Sequence, residues 1–336
     1  MKKIVGVIMG GIAILAMQTP VQAADVTLRF AHFWPAVAGA NKDLYQVWAD
    51  TVQKESNGRI KVEIYPSGTL AKPPAQYEAI KSRIADMTAT VQGYSANRFP
   101  LTQIVELPGM IKSAEQGSCI IQSLYDEGLI SSEYQDTKPL FLFTHGPGLI
   151  HTKDKFINKP SDLAGLRIRR PTTVVGNLLE ELGAQPVGMP APQSYQAMQR
   201  GVIDGVALPW EGALSFRLNE LAHAHTELGG LYTLSFIVTM NNDVYNSLPA
   251  DLKKVIDHNS GQAWSKKAGE VFDGLDVKGR AQAVANGDKI VTVKDMSAWK
   301  PVYDKATETY LSDLESKGLP ARKVYKRAVE LSKVCK

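Results

Sequence analysis

VTLRFAHFWPAVAGANKDLYQVWADTVQKESNGRIKVEIYPSGTLAKPPAQYEAIKSRIADMTAT, residues 26–90, switches repeatedly between period-two and helical hydrophobic spacing. Val26 to Ala31 alternates and is rich in β-forming residues, so it predicts a strand. From Lys42 to Ser56 the apolar residues Leu44, Val47, Trp48 and Val52 fall at helical spacing. Asn57-Gly58 ends that helix with a pair suited to positive φ. Arg59 to Tyr65 alternates without a break and predicts a second strand, closed by Pro66-Ser-Gly68. Pro74 to Ile84 reads as a helix and Ala85 to Thr90 as a short buried strand. Strand, helix, strand, helix, strand in this order argues a parallel-type α/β unit.

Outward from that stretch the pattern continues and then begins again. Ala114 to Glu127 predicts a helix, and Leu140 to His145 an apolar strand that stops at the breaker Gly146-Pro147-Gly148. A second α/β succession follows: strand at Leu166–Arg169, helix at Thr173–Leu182, strand at Pro186–Met189, helix at Ser194–Gly201, strand at Gly205–Leu208. After Pro249 the character shifts to long amphipathic helices over Asp251–Gly274 and Pro301–Ser316. The restart after Gly148 predicts a two-lobed α/β protein.

The N-terminal run has a basic start at Lys2 and Lys3, an apolar stretch from Ile4 to Met17 and small residues at Val21-Gln-Ala23. That arrangement predicts a secretory signal peptide over residues 1–23, cleaved before Ala24, because the apolar run is short for a membrane span. The 38 Lys and Arg residues nearly balance 34 Asp and Glu, which gives no electrostatic reason to expect nucleic acid as a partner. The two cysteines, Cys119 and Cys335, lack metal-type spacing. In an oxidising compartment they pair with each other; otherwise one is buried and the other terminal.

A catalytic constellation is not found. The sequence has no GxSxG elbow, no GxGxxG after a strand, no Walker loop and no HExxH. His223 and His225 lie two apart, with only Glu220 and Glu227 nearby to complete a metal set, which favours structural histidines. No cofactor is expected.

Several segments carry a family resemblance. Tyr65-Pro-Ser-Gly68, Ile84-Ala-Asp-Met87, Phe99-Pro100, Glu106-Leu-Pro108 and Asp162-Leu-Ala-Gly-Leu-Arg-Ile-Arg169 are among them. So are Leu182-Gly-Ala-Gln-Pro186, Tyr195-Gln-Ala-Met-Gln-Arg-Gly-Val-Ile-Asp-Gly205 and Asn242-Asp-Val-Tyr-Asn-Ser-Leu-Pro249. Together they resemble the DctP-type substrate-binding proteins of tripartite ATP-independent periplasmic (TRAP) transporters over essentially the whole chain after residue 23. The resemblance implies a periplasmic solute-binding protein, not an enzyme, with a two-lobed, type II-like binding-protein fold, hinge strands and a long lobe-spanning helix. On that template lobe I takes residues 24–145 plus 234–273, and lobe II with the C-terminal helices takes 146–233 plus 274–336. The implied partners are a small organic acid and the small and large membrane subunits of the transporter.

The family's ligand-binding arginine falls on Arg169. A guanidinium is always charged and its planar fork fits a carboxylate. Arg170 points to the opposite face of the strand, toward solvent or a surface ion pair. Where many relatives read QENP, with an asparagine on the ligand, this chain has Val206-Ala-Leu-Pro209, which puts Leu208 at that position. The second arginine of sugar-acid binders is absent from Gly146-Pro-Gly-Leu149. Aromatic residues stand in the remaining places: Phe33, Trp34, Tyr94, Trp210 and Phe236, with Gln92 beside Tyr94. The expected ligand is therefore a monocarboxylate with an aromatic or apolar body. Three alternatives remain: a C4-dicarboxylate, a periplasmic enzyme using His145, His151 and Asp204, and a sensor lobe.

Overall fold

The computed structural model describes residues 24–336, so the expected signal peptide lies outside the described residues. Strands β1 (Val26–His32), β2 (Ile60–Tyr65), β3 (Met87–Val91) and β4 (Lys138–Thr144) come first. Then follow β5 (Leu149–Thr152), β6 (Arg167–Arg170), β7 (Gln185–Gly188), β8 (Gly205–Leu208), β9 (Ala224–Glu227), β10 (Ser235–Met240) and β11 (Lys289–Thr292). They form two sheets, ordered β2-β1-β3-β10-β4 and β11-β9-β5-β8-β6-β7. Each sheet has a parallel βαβ core, β1 between β2 and β3, and β6 between β7 and β8. Each also takes one strand the other way: β10 runs antiparallel to β3 and β4, and β5 antiparallel to β8 and β9. The parallel-type units expected from the sequence are thus present within mixed sheets, because the chain must cross between lobes and return.

The same ion pair holds both parallel cores in register. Asp86, just before β3, accepts from the backbone N, Nε and Nη2 of Arg29 on β1 at 2.9, 3.0 and 3.0 Å. Asp204, just before β8, accepts from the same three atoms of Arg167 on β6 at 2.9, 3.0 and 2.6 Å. A bidentate fork with an added backbone bond fixes strand offset as well as proximity. Asp204 is therefore engaged in setting the β6–β8 register, which also sets the height of Arg169 two residues further along β6.

Most helices fall where the sequence pattern places them, and one expected helix is broken in two. In the first half are α1 (Gln46–Glu55), α2 (Gln76–Lys81), α3 (Ala114–Asp126), α4 (Thr173–Glu181), α5 (Ser194–Gln199) and α6 (Trp210–Ser215). Then come α7 (Asn242–Ser247), α8 (Ala250–His258), α9 (Gly261–Ala285), α10 (Lys300–Ser316) and α11 (Ala321–Leu331). Of these, α6, α7 and α11 have no counterpart in the sequence pattern. The helix expected over Asp251–Gly274 is two helices. Asn259 ends α8, its carbonyl takes the Trp48 indole N–H at 2.8 Å and its side-chain oxygen takes that of Trp264 at 3.0 Å. Two tryptophans bonded to one residue hold the corner, which apolar periodicity does not register.

Helix α9 ties the lobes together. Its Asp273 caps α3 of the first lobe, accepting from Ala114 N at 2.7 Å and Glu115 N at 3.0 Å. One turn on, Asp276 accepts from Glu211 N of α6 in the second lobe at 2.6 Å. Carboxylates suit such helix starts, where backbone N–H groups lack partners. Close approach is allowed by Gly269, where a Cβ would run into the Glu115 backbone, and Gly279, where it would meet the Trp210 carbonyl. Residues 274–336, grouped by sequence with lobe II, run across both bodies: α10 packs on α4, α11 packs on α3. Among the described residues no helix is long and apolar enough to cross a membrane.

Cys119 on α3 and Cys335 after α11 form a disulfide with Cα atoms 5.8 Å apart. Both lie in the apolar cluster that α3 and α11 share, so the bridge sits within one body and leaves the lobes free to move. It closes a loop with a sequence separation of 216 residues, worth roughly 5 kcal/mol in the chain-entropy account. Denaturing thiol titration without reductant is expected to find no free thiol, and reduction is expected to lower the melting temperature. Gly269→Ala is expected to destabilise by about 1–3 kcal/mol, measured by denaturant unfolding, because the helix backbones cannot separate without losing the Asp273 cap.

Candidate ligand-binding cleft

Arg169 is completely buried. Its Nε donates to the Met189 carbonyl at 2.9 Å, Nη1 to the Ala207 carbonyl at 3.0 Å and Nη2 to the Tyr94 hydroxyl at 3.2 Å. Among the described residues no carboxylate pairs with it, in contrast to Arg29 and Arg167. Removing a charged group from water costs several kcal/mol unless a counter-charge compensates. Two backbone carbonyls orient the fork without neutralising it, and N–H groups remain to be given to an anion. Arg170, the next residue, turns away and lies over Gly176 and Gly188, where any Cβ would crowd its guanidinium arm.

Around Arg169 the two lobes contribute an aromatic wall. Phe33 and Trp34, after β1, stack with ring centroids 4.0 Å apart. Trp34 lies 5.5 Å from Phe236 on β10, and Phe33 lies parallel to Phe216 at 6.2 Å. Tyr94, His145, Leu208 and Glu211 are also among the lining residues, and the space between them is about 20 Å³. Of the residues singled out from sequence, the cavity brings together Arg169, Phe33, Trp34, Tyr94, Leu208 and Phe236. Gln92 and Trp210 lie elsewhere. The Gln92–Tyr94 turn aims Tyr94 into the cleft and Gln92 back into the first lobe, where its amide meets the Tyr134 hydroxyl. Trp210 opens α6 and faces away, its ring against His151 and His225 and its indole N–H on Glu227 at 3.1 Å. Position along α6 decides this: Glu211 and Gly212 of its first turn, and Phe216 just past its end, take the cleft side.

Two contacts bridge the lobes here. Tyr94 of lobe I accepts from Arg169 and, at 3.0 Å, from the Ala191 N–H of lobe II. Glu106 of lobe I accepts from the Thr172 hydroxyl, which caps α4 of lobe II, at 2.8 Å and from the Ser235 hydroxyl at 2.8 Å. Burial pushes the Glu106 carboxyl up to about 7, against the pull of these hydroxyl donors. Burial also pushes Glu211 up to about 7, with the Ser215 hydroxyl, at 2.6 Å, opposing it. Glu106, Phe216, Glu211 and the carbonyls of Met189 and Ala207 were not legible as site residues, since each acts through a position the fold assigns.

The trio of His145, His151 and Asp204 is not assembled. His151 meets His225 at 2.8 Å and the Leu208 carbonyl at 3.1 Å, while Asp204 is taken up by Arg167. Among the described residues no group of three or more His, Cys, Asp or Glu could hold a metal ion.

Comparison with known proteins agrees with this architecture. Residues 30–313 match the DctP family model, described as bacterial extracellular solute-binding protein, family 7. A solved TRAP solute-binding protein from an unidentified marine microbe, specific for aromatic acids and crystallised with 3-hydroxybenzoate, is 39% identical. It superposes with a TM-score of 0.91 over 93% of this chain and 99% of its own. One from Rhodoferax ferrireducens, with copurified benzoate, is 38% identical, with a TM-score of 0.88 over 92% and 98%. The C4-dicarboxylate-binding periplasmic protein DctP of Rhodobacter capsulatus is 23% identical over 91% of this chain and 94% of its own. A buried, unpaired arginine between two α/β lobes and a family match over most of its length place this chain among the DctP-family solute-binding proteins of TRAP transporters.

Proposed function

We propose that this protein captures an aromatic monocarboxylate in the periplasm and delivers it to the small and large membrane subunits of a TRAP transporter. The observation that carries the reading is Arg169, a fully buried cation whose hydrogen bonds all go to neutral oxygens. The Tyr94 oxygen already accepts two N–H groups, so its own O–H is free to point at the same anion. One carboxylate therefore finds a guanidinium fork and a hydroxyl. The rest of the ligand meets Phe33, Trp34, Phe216 and Leu208, a set suited to a ring.

Counting charge separates this from the dicarboxylate alternative. A second carboxylate buried in the same cavity would need a second cation. Arg169 is the one basic side chain among the lining residues apart from His145, whose imidazole burial pulls down to about 3 and keeps neutral. The benzoate and 3-hydroxybenzoate bound by the two solved relatives are aromatic monocarboxylates, which supports extending that class to this chain. The lining leaves little space between the lobes as they stand, so loading requires the Tyr94 and Glu106 bridges to part and re-form. Residues 1–23 act in this reading as the export signal.

Arg169→Met is expected to fold normally and to lose roughly 3 to 5 kcal/mol of affinity by calorimetry, the scale for orphaning one partner of a buried pair. Tyr94→Phe is expected to weaken binding by about tenfold, the loss of one hydrogen bond to a charged group. In thermal-shift screening benzoate-type acids should stabilise the protein, while malate and succinate should not. Stabilisation by C4-dicarboxylates alone, or full affinity in Arg169→Met, would overturn the proposal.

A further inference from the structure

His145 stands at the end of β4 where the chain enters the first crossing between lobes, and its side chain forms part of the cleft lining with Arg169. Its Nδ1 faces the carbonyl of Gly146. A carbonyl oxygen only accepts, so Nδ1 carries the proton and Nε2 is a bare lone pair. The ring cannot reverse this assignment without placing a lone pair or a carbon against that carbonyl. Thr233 does not compete, since its hydroxyl is given to the His145 carbonyl at 2.7 Å. The imidazole is held between the Tyr232 ring, edge-on at 5.4 Å, and Phe236 at 5.8 Å.

Among the described residues Nε2 has no hydrogen-bond partner, although the residue is only 1% exposed. Buried acceptors are almost always satisfied, and one that is not, on a residue that lines a binding cavity, marks a place for a ligand atom. That atom must be a donor. A carboxylate oxygen cannot serve, because it would set two lone pairs against each other.

We propose that His145 is a specificity-determining residue that accepts a hydrogen bond from a hydroxyl on the ring of the bound aromatic acid, so that hydroxylated acids are selected over unsubstituted ones. The inference rests on the aromatic-acid reading and deepens it. Arg169 and Tyr94 take the carboxylate; His145 reads the far substituent. A ligand lacking the hydroxyl leaves Nε2 dry and unpaired, whereas one carrying a second carboxylate is repelled there. The selectivity expected from one such bond is about tenfold or more.

The test compares benzoate with 2-, 3- and 4-hydroxybenzoate by titration calorimetry on the full-length mature protein. At least one hydroxybenzoate is expected to bind about tenfold tighter than benzoate. In His145→Phe that ratio should fall to near one, and in His145→Gln, which keeps an acceptor, it should recover in part. The readout is the ratio between acids within each protein, so a general weakening does not imitate the result. Should a variant fail to fold, nitrogen NMR of the wild type decides: the unprotonated Nε2 of His145 should shift with the preferred hydroxybenzoate and not with benzoate. Equal binding of benzoate and all three hydroxybenzoates, or an unchanged ratio in His145→Phe, overturns this inference while leaving the aromatic-acid reading in place. Binding of none of the four acids removes that reading and this inference with it.

Discussion

A guanidinium without a counter-ion, sealed from water, is the constraint around which the cleft is arranged. Arg169 can occupy that site because β6 places it there and because the carbonyls of Met189 and Ala207 accept two of its N–H groups. Neither carbonyl cancels the charge, so the cleft is electrostatically incomplete until an anion arrives. The Arg167–Asp204 clamp two residues earlier is the structural counterpart, a neutralised pair that fixes register and leaves Arg169 available. The first lobe repeats the clamp at Arg29 and Asp86, where the strand that follows carries no such free cation.

Motion between the lobes is shaped by where polar groups are spent. Asp273 and Asp276 put the caps of two helices from different lobes on one turn of α9, so that helix is shared by both bodies. At the crossing, the Gly148 N–H bonds the Tyr232 carbonyl at 2.8 Å, and a Cβ on Gly148 would strike the Tyr232 ring. The two crossing strands therefore lie in contact, a narrow hinge beside the cavity. Across the mouth the contacts are of another kind, a few hydrogen bonds through Tyr94 and Glu106 that can break and re-form at small cost.

Much of this was legible because it rests on local pattern. Alternation over 26–31 and 59–65, helical spacing over 42–56 and the restart after Gly148 all correspond to elements in place. Strands β5, β9, β10 and β11 have no counterpart in the sequence pattern, since each is made a strand by pairing with partners distant along the chain. Within the site, Arg169, Phe33, Trp34, Tyr94, Leu208 and Phe236 meet in one cavity, whereas Trp210 and Gln92 carried the same kind of signal and face elsewhere. An aromatic or amide beside a pocket residue looks alike in sequence whether it turns in or out.

Periodicity, a property of neighbouring residues, carries the two-lobed α/β pattern, and the family resemblance carries Arg169 and the expectation of a lobe-spanning helix. Folding in three dimensions leaves Arg169 without a carboxylate partner among the described residues, leaves His145 Nε2 bare, brings Cys119 to Cys335 and returns α11 to α3. Each of these depends on atoms far apart along the chain. A charge, a lone pair or a thiol acquires its meaning from the partner that folding brings to it or withholds, and no local pattern records that.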